Sequence, residues 1–322
     1  MQKFLNKIIE GDCVKLLGKV EEPFADLIFA DPPFNIGYKY DKYNDKQKKE
    51  HYIEWTKQWM SACLNVLKPN GSFYIAIGDD YAANVKVIAD ELGLFCRNWI
   101  IWHYTFGQQT KDKFARSHTH IFYFVKDKDN FTFNDFAVRT PSDRQLIYKD
   151  SRANSVGKMP DDVWNTFSRI CGTFIERQGW HPCQMPELLL ARIIAASSNP
   201  GDCVLDPFSG SGTTLAVAAK YGREYCGIDI SEDYAKKAAK RIAEAKSQIL
   251  NLKSDFSAIE LEEIKRLFVE TGLGIAKLIE NDKLLEIFVS QFSHRMNNGK
   301  KYDSKMIAAE IKKLKAYDNK RK

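Results

Sequence analysis

Two acidic loops, each directly after a short apolar run, are the feature that most constrains the fold of this chain. The first run, Ala25–Ala30, is followed by the tetrapeptide Asp31–Phe34, and the second, Cys203–Leu205, by the glycine-containing segment 206–214. Short apolar runs bounded by turn residues indicate buried strands. Ligands of open α/β sheets bind where the carboxyl ends of parallel strands meet. We therefore expect the two loops to share one ligand site.

The remaining pattern predicts the architecture around that site. Strand-like and helix-like segments alternate over residues 7–126 and again over 181–250, which indicates a mostly parallel α/β sheet. Two strand-like runs, 98–104 and 119–125, follow one another with no helix between them. These two runs predict an antiparallel hairpin at the edge of the sheet.

Two further segments differ from this alternation. Residues 127–180 lack clear periodicity, and so long a stretch in a compact domain is expected to be functional or a small inserted unit. Residues 251–322 carry apolar side chains at helical spacing and many lysines, which predicts a basic helical appendage. We therefore divide the chain into segments 1–126, 127–180, 181–250 and 251–322.

Composition limits the partners and the compartment. The formal net charge is +6, which is compatible with a polyanionic partner. Lysines after the first motif, including Lys39 and Lys42, alternate with tyrosines and favour nucleic acid. No apolar run has membrane-spanning length. The seven cysteines form no C-x-x-C pair, which indicates reduced thiols, a cytoplasmic protein and no metal site.

The second loop predicts the cofactor. Gly210 and Gly212 lie between a strand and a helix, as in nucleotide-binding turns, but Leu215 occupies the position of the third glycine. A pyrophosphate cofactor is therefore disfavoured. Asp229 ends the next strand, where a carboxylate can accept hydrogen bonds from ribose hydroxyls. S-adenosylmethionine has a ribose, no phosphate, and two cationic groups that carboxylates accommodate. An ordinary glycine turn is the alternative.

The first loop suits an amine. The exocyclic amine of a nucleobase is a poor nucleophile because its lone pair is delocalised into the ring. Hydrogen bonds from this amine to the Asp31 carboxylate and the Pro32 carbonyl would favour a tetrahedral nitrogen. The prolines limit motion of that carbonyl, and Phe34 offers a face for a base that has left the helix. A simple proline turn explains neither the acid nor the aromatic ring.

Taken together and in this order, the two motifs resemble those of the amino-methyltransferases of DNA that make N6-methyladenine or N4-methylcytosine. The permuted order is similar to that of their β group, and the resemblance covers residues 5–247. It implies a Rossmann-like class I methyltransferase sheet, S-adenosyl-L-methionine and double-stranded DNA. The implied catalytic residues are Asp31, Pro32, Pro33 and Phe34. The expected cofactor-binding residues are Asp12, Asp31, His181, Gln184, Asp206, Phe208, Gly210, Gly212, Thr213 and Asp229.

The same resemblance places target recognition in residues 127–180, where Arg139, Arg144 and Arg152 are the expected DNA-binding side chains. An aspartate opens the catalytic tetrapeptide, whereas the cytosine-N4 relatives more often begin it with serine, so we expect methylation of adenine. N4-cytosine methylation, an RNA or protein-glutamine methyltransferase, a silent DNA-binding module and a dinucleotide oxidoreductase are the alternatives. A paired restriction endonuclease and a homodimer are left open.

Overall fold

The computed structural model describes residues 4–108, 110–148, 150–172 and 174–318. Residues 319–322 of the predicted basic appendage lie outside this described part. The strands are β1 (Lys7–Glu10), β2 (Ala25–Ala30), β3 (Leu67–Ile77), β4 (Phe95–Gln108), β5 (Arg116–Val125), β6 (Val163–Trp164), β7 (Cys203–Asp206) and β8 (Glu224–Asp229).

The helices alternate with these strands and then continue alone to the end of the chain. They are α1 (Cys13–Leu17), α2 (Lys49–Val66), α3 (Asp79–Glu91), α4 (Asp135–Val138), α5 (Asp143–Leu146), α6 (Glu187–Ser197), α7 (Thr213–Lys220), α8 (Glu232–Leu250), α9 (Ala258–Thr271), α10 (Ile275–Ile279), α11 (Asp282–Met296) and α12 (Ser304–Lys313). A short 3₁₀ helix, Lys315–Tyr317, follows α12.

The strands form one sheet in the order β1-β8-β7-β2-β3-β5-β4-β6. Within the described residues, β5 alone runs antiparallel to its neighbours β3 and β4. The predicted fold, a mostly parallel α/β sheet with an antiparallel hairpin, is confirmed. The two-residue strand β6 pairs in parallel with β4, so the hairpin does not form the outermost edge on that side.

The pairing of β2 with β7 at the centre of the sheet positions the site. Leu27 lies opposite Val204 and Ile28 opposite Leu205 in parallel register. The chain continues from β2 to β3 on one side and from β7 to β8 on the other. The space between β2 and β7 is therefore a topological switch point, where ligands of such sheets bind. Asp31 and Asp206 both lie at this edge.

The central strands are apolar on both faces because helices cover both sides of a parallel sheet. In β2 only Asp26 is more than marginally exposed, and its carboxylate pairs with Lys68 at 2.8 Å. The five-residue helix α1 is too short for periodicity to reveal it. Its first turn is capped by the Asp12 carboxylate, which accepts hydrogen bonds from the backbone nitrogens of Val14 (2.8 Å) and Lys15 (3.4 Å).

The chain divides into two compact units, and the second joins two segments that are distant in sequence. The first unit comprises Met1–Phe133 with Asp162–Leu250, and the second comprises Asn134–Asp161 with Asn251–Lys322. The structure thus draws the boundaries differently from the sequence interpretation. Only the middle of the aperiodic segment 127–180 belongs with the helical end of the chain, and the helices α9–α12 do not form an appendage on their own.

Buried arginines explain why these two segments fold together. The Arg295 side chain donates from Nε to the carbonyl of Arg139 at 2.8 Å, and Arg266 donates to the carbonyl of Ala137. Both guanidinium groups also form ion pairs with Glu263 and Glu270. The distance to Glu263 Oε2 is 2.6 Å from Arg266 Nη2 and 3.4 Å from Arg295 Nη1. All four side chains are buried.

Two further findings concern the whole described chain. Within residues 4–108, 110–148, 150–172 and 174–318, no helix combines the length and the apolar character that crossing a membrane requires. The seven cysteines are free thiols, and four of them are buried.

The buried ion cluster yields a prediction for the second unit. In Arg295→Leu the carboxylates of Glu263 and Glu270 keep their burial and lose one cation, so the free energy of unfolding of this unit should fall by about 3 to 5 kcal/mol. Chemical denaturation followed by circular dichroism measures this loss. Arg152→Leu, which breaks an ion pair of the same unit with an arginine side chain 84% exposed, should leave the unfolding midpoint unchanged. Equal midpoints for both variants would contradict the role of the cluster.

Candidate active site

A cavity of about 460 Å³ opens at the carboxyl ends of β2 and β7, entirely within the first unit. This volume is in the range of small-molecule sites. The predicted catalytic and cofactor-binding residues that line it are Asp12, Asp31, Pro32, Pro33, Phe34, His181, Gln184, Asp206, Phe208, Gly210, Thr213 and Asp229. Gly212 of the predicted set is not part of the lining. The structure thus brings the two motifs together, and the roles assigned to their residues stay predictions.

The catalytic tetrapeptide is anchored from its second proline and its aromatic ring. The Tyr52 hydroxyl of α2 donates a hydrogen bond to the Pro33 carbonyl at 2.6 Å. The Phe34 ring lies against Gly78, where an added Cβ would come within 3.3 Å of Phe34 Cδ2. A larger residue at position 78 would displace the ring. These contacts hold the loop at the wall of the cavity.

The loop after Phe34 is organised by a buried carboxylate that sequence analysis missed. Asp45, only 2% exposed, accepts hydrogen bonds from the backbone nitrogens of Asn35 (2.7 Å), Ile36 (3.2 Å) and Tyr38 (2.9 Å). Asn35 adopts a left-handed conformation with φ +58°, which asparagine tolerates better than most residues. The loop therefore turns sharply directly after the catalytic tetrapeptide and leaves the Phe34 ring at the cavity.

Two carboxyl groups of the cavity repel one another. The pKa of Asp31 is raised to about 7, chiefly by burial and also by the charge of Asp206, while the Arg169 guanidinium lowers it. The pKa of Asp206 is likewise raised to about 7, chiefly by burial and also by the charge of Asp229, while hydrogen bonds from the Thr214 side chain and the Phe208 amide lower it. A cationic ligand in this cavity would stabilise the ionised form of both groups. Arg169 was not singled out from the sequence.

Asp229 fastens the glycine loop to the end of β8. Its Oδ2 atom accepts a hydrogen bond from the Gly210 amide and its Oδ1 atom one from the Ser231 amide, each at 2.8 Å. Burial raises the pKa of this carboxyl, and the two amide hydrogen bonds lower it. Each carboxylate oxygen retains a free lone pair. Asp229 can therefore hold the loop and still accept hydrogen bonds from ribose hydroxyls.

The two glycines serve the packing of the loop as well as the approach of a ligand. Gly212 has φ +70°, and a Cβ there would come within 2.8 Å of Ala238 Cβ on α8. Gly210 has φ +45°, and its Cβ would come within 2.9 Å of the His181 ring. The neighbour of Gly212 is α8, and its expected role in binding the cofactor stays a prediction.

Arg241 of α8 binds the same loop and was not predicted. Its side chain is 7% exposed. The Nη1 atom donates to the Ser211 carbonyl at 2.9 Å and to Thr213 Oγ1 at 2.8 Å, and Nη2 pairs with Glu187 at 2.8 Å. The predicted cofactor-binding hydroxyl of Thr213 is therefore engaged by protein. A single arginine holds both sides of Gly212.

Residues 181–185 form another wall of the cavity, and hydrogen bonds within segment 176–187 hold them in place. The Gln184 amide group accepts from the Gln178 nitrogen at 2.9 Å and donates to the Glu176 carbonyl at 2.7 Å. His181 Nδ1 hydrogen-bonds the Cys183 carbonyl, and burial lowers the pKa of the imidazole. The ring of His181 packs edge-on against Tyr234 of α8, with centroids 4.7 Å apart. Both predicted residues thus shape the wall with their own hydrogen bonds.

The predicted DNA-binding side chains fall into two groups. Lys39 and Lys42 are exposed in the loop after the tetrapeptide, and Lys42 lines the cavity. Arg139, Arg144 and Arg152 belong to the second unit. Arg139 pairs with Asp135 at 2.9 Å and donates to the Gly157 carbonyl at 3.3 Å, so its guanidinium supports the protein itself. Arg144 and Arg152 are exposed.

One cluster of candidate metal ligands borders the cavity. Atoms of Asp79, His118 and His120 lie within 4.8 Å of one another. Trp99 Nε1 donates to His120 Nδ1 at 2.9 Å, and Arg116 pairs with Asp79 at 3.0 Å. Burial lowers the pKa of His120, and the charge of His118 adds to this effect. These contacts with Trp99 and Arg116 explain why His120 and Asp79 lie together at the rim of the cavity.

Fold and site define a class of protein. An open, mostly parallel sheet carries an acidic loop and a glycine loop at its switch point, with carboxylates placed for a ribose and for cationic groups. The second loop lacks the third glycine of pyrophosphate-binding turns. This combination is that of Rossmann-like methyltransferases, in a permuted order in which the acidic loop precedes the glycine loop.

Comparison with known proteins identifies the family. A family model described as DNA methylase matches residues 25–241. The type II methyltransferase M.HpaI of Haemophilus parainfluenzae is 38% identical over 237 residues, which cover 73% of this chain and 74% of that protein. The DNA adenine methyltransferase YhdJ of Escherichia coli (strain K12) is 39% identical over 269 residues, which cover 80% of this chain and 87% of that protein. The chain therefore belongs to the DNA methylase family, whose cofactor is S-adenosyl-L-methionine.

Solved structures support the fold. The M1.HpyAVI–SAM complex superposes with a TM-score of 0.53 at 23% identity, over 76% of this chain and 99% of that chain. The PvuII DNA methyltransferase, named as cytosine-N4-specific, superposes with a TM-score of 0.57 at 19% identity, over 81% of this chain and 92% of that chain. At such identity the likeness concerns the fold alone.

The contacts of Arg241 generate a prediction. Arg241→Met removes two hydrogen bonds from the cofactor loop, so the Kd for S-adenosylmethionine should rise about tenfold or more. Arg241→Lys retains one donor and should be intermediate. The value of kcat at saturating cofactor should change much less than Kd, since Arg241 does not face the amine. Titration calorimetry measures the affinities.

Lys240→Met is the matched control for this prediction, because Lys240 precedes Arg241 on the same helix and is exposed. It should bind the cofactor like the unmodified protein. An unchanged Kd in Arg241→Met, with thermal unfolding unaltered, would show that the loop holds its shape without this arginine.

Proposed function

We propose that the chain is a site-specific DNA methyltransferase that methylates the exocyclic N6 of adenine in duplex DNA. The observation that carries the proposal is the juxtaposition, in one cavity, of Asp31 and Phe34 with the glycine loop after β7. A hydrogen-bond acceptor for an amine and a ring for a base thus lie beside a cofactor site. The relative from Escherichia coli is named a DNA adenine methyltransferase, which supports the choice of base.

The residues present fit S-adenosylmethionine. Asp229 has acceptors for ribose hydroxyls, and Asp206 and Asp31 are carboxyls of the cavity whose ionised forms a cation stabilises. The Phe208 ring at the cavity wall packs against Trp55 and Trp59. S-adenosylmethionine supplies an electrophilic methyl group bound to a positively charged sulfur. The residues that would hold it are therefore those of the second loop and of the end of β8.

Asp31 and Pro32 act on the amine. The Asp31 carboxylate and the Pro32 carbonyl accept its two N–H groups, which concentrates the lone pair on nitrogen and directs it towards the methyl group. Bound S-adenosylmethionine would supply the methyl group and keep the carbon–sulfur bonding pair as S-adenosylhomocysteine, and the methylated, cationic amine would then have to lose a proton. Asp31 can accept it near neutral pH, because burial raises the pKa of this carboxyl to about 7.

Phe34 and the cavity imply that the base leaves the duplex. A base inside the helix cannot bring its amine to Asp31, which lines a cavity between two loops. Stacking on the Phe34 ring offsets part of the cost of unstacking the base. The anchoring of that ring by Gly78 and of the tetrapeptide by Tyr52 keeps the stacking face in place.

Cytosine N4 is the second candidate, since the same acceptors suit any exocyclic amine and the PvuII methyltransferase of similar fold is named cytosine-N4-specific. Incubation of duplex DNA with methyl-labelled cofactor, digestion and mass spectrometry of the nucleosides separates the two. N6-methyladenine is the expected product. N4-methylcytosine as the sole product would overturn the choice of adenine, and label in RNA or protein alone would overturn DNA as substrate.

Further proposals concern the side chains that contact DNA and the protein partners of the chain. Arg144 and Arg152 are exposed in the second unit and are proposed to contact DNA together with Lys39 and Lys42. We assign target recognition to residues 134–161 of that unit. Several relatives are named type II methyltransferases, which suggests a cognate restriction endonuclease. A homodimer and a cytoplasmic location remain predictions from the sequence.

The role of Asp31 is tested by removing its carboxylate. Asp31→Ala should lower kcat for methyl transfer by at least about a hundredfold, as expected for a preorganised electrostatic group at the reacting atom. The Kd for S-adenosylmethionine should change by less than about tenfold, because the ribose and the glycine loop are unaffected.

Asp233→Ala serves as the control, since it removes an exposed carboxylate from α8, outside the cavity lining. It should leave both constants unchanged. Near-normal turnover by Asp31→Ala in the labelled-cofactor assay would contradict the mechanism. Loss of S-adenosylmethionine binding by Asp31→Ala would instead show that Asp31 acts chiefly on the cofactor.

A further inference from the structure

The loop that joins β4 to β5 presents a fully exposed aromatic side chain. Phe114 is 99% exposed, the highest value among the exposed large hydrophobic residues of the described chain. A phenylalanine side chain gains free energy when it leaves water, so complete exposure at a loop tip is unfavourable without a partner. Lys111 and Lys113 precede it in the same loop and are also exposed.

The base of this loop is firmly held. Gln108 pairs with Arg116 across the hairpin, and a Cβ at Gly107 would come within 2.5 Å of the Arg116 carbonyl oxygen, so the two strands approach closely there. The Arg116 guanidinium pairs with Asp79 at 3.0 Å and Asp80 at 3.2 Å, in the first turn of α3. The loop therefore projects from a closed stem fixed to the sheet unit.

The stem also borders the active site. Arg116, His118 and Thr119 of β5 line the same cavity as Asp31 and Phe34. Phe114 precedes Arg116 by two residues, and two extended residues span at most about 7 Å. The Phe114 backbone consequently lies within about 7 Å of a residue at the cavity wall. An exposed aromatic ring thus stands beside the mouth through which a target base would enter.

The chemistry of this mouth fits a duplex that has lost one base from its stack. Flipping a base leaves a gap and an unpaired partner base, and apolar side chains are known to occupy such positions between base steps. The two exposed lysines that precede the ring in the same loop match the phosphates next to the gap. Resting on the proposed function, we propose that Phe114 enters the duplex at the place vacated by the target adenine and stabilises the flipped state.

The first test compares Phe114→Ala with Phe114→Leu on a duplex that carries 2-aminopurine at the target position. The fluorescence of 2-aminopurine reports the flipped fraction. Phe114→Ala should bind this duplex about tenfold more weakly or worse and brighten it less, since it loses the burial of the ring. Phe114→Leu keeps an apolar wedge and should retain most of the effect. Equal brightening and affinity for Phe114→Ala and the unmodified protein would overturn the proposal.

A matched control uses the other end of the same hairpin. Phe95 is 45% exposed at the start of β4, where it pairs with Val125, and the strand β5 from Val125 to Arg116 puts it roughly 30 Å from the loop. Phe95→Ala should therefore behave like the unmodified protein. If Phe95→Ala impairs flipping as much as Phe114→Ala does, the effect is a general one of lost apolar surface, and the proposal that Phe114 inserts into the duplex is wrong.

A second substrate separates this proposal from the proposed function. When the target base lies in single-stranded DNA, there is no stack to fill, so Phe114→Ala and the unmodified protein should methylate it at similar rates. An equal defect on single-stranded and duplex DNA would overturn the wedge in favour of a general binding role. Absence of methylation of any DNA by the unmodified protein would instead refute the proposed function.

Discussion

The parallel pairing of β2 with β7 is the constraint on which the site depends. Because these strands are neighbours, the loops that leave them place two carboxyls, the half-buried Asp31 and the buried Asp206, in one cavity. Burial makes each group costly to ionise, and the charge of Asp206 on Asp31 and that of Asp229 on Asp206 add to this cost, so the pKa of each carboxyl is raised. The unliganded sheet therefore presents a site whose electrostatics favour a cation.

The loops around that site are held by carboxylates and by one arginine. Asp45 binds three backbone amides of the loop after the tetrapeptide, Asp229 binds two at the cofactor loop, and Asp12 caps α1. Arg241 performs the complementary task by donating to a carbonyl and a hydroxyl. Irregular backbone at a buried edge needs such partners. The site is thus preorganised before any ligand binds.

The sequence predicted the parts of this arrangement that have a local signature. Strand-end motifs, helical periodicity and the hairpin are written in neighbouring residues, and so the sheet, its permuted order and the clustering of Asp31 with the glycine loop were predictable. Asp45 and Arg241 had no such signature, because one lies in an irregular loop and the other contacts residues about thirty positions away. From the sequence, Gly212 was assigned to the cofactor site. The contact with Ala238 that requires a glycine there joins the loop to α8, so no local pattern reveals it.

Domain organisation shows the same limit more clearly. The Arg139 carbonyl accepts a hydrogen bond from the side chain of Arg295, which lies 156 positions away in the chain. No periodicity within either segment reveals that pairing. The aperiodic character of residues 127–180 set this region apart from the alternating segments on either side. Its division between two compact units, with 134–161 joined to α9–α12, follows from buried charges that only the folded chain brings together.

The central claim, that the buried Asp206 carboxyl, with a smaller share from the neighbouring Asp31, favours the cationic cofactor, is tested most directly by the pH dependence of cofactor affinity. Both carboxyls have a pKa of about 7 without ligand, so below that pH they must release protons when a cation binds. Affinity for S-adenosylmethionine measured by calorimetry should rise between about pH 5.5 and 7.5 and level off above, with proton release on the acid side. The slope should be smaller in Asp206→Asn, and smaller for S-adenosylhomocysteine, which lacks the sulfonium charge. An affinity independent of pH over this range, with no proton released, would contradict the account.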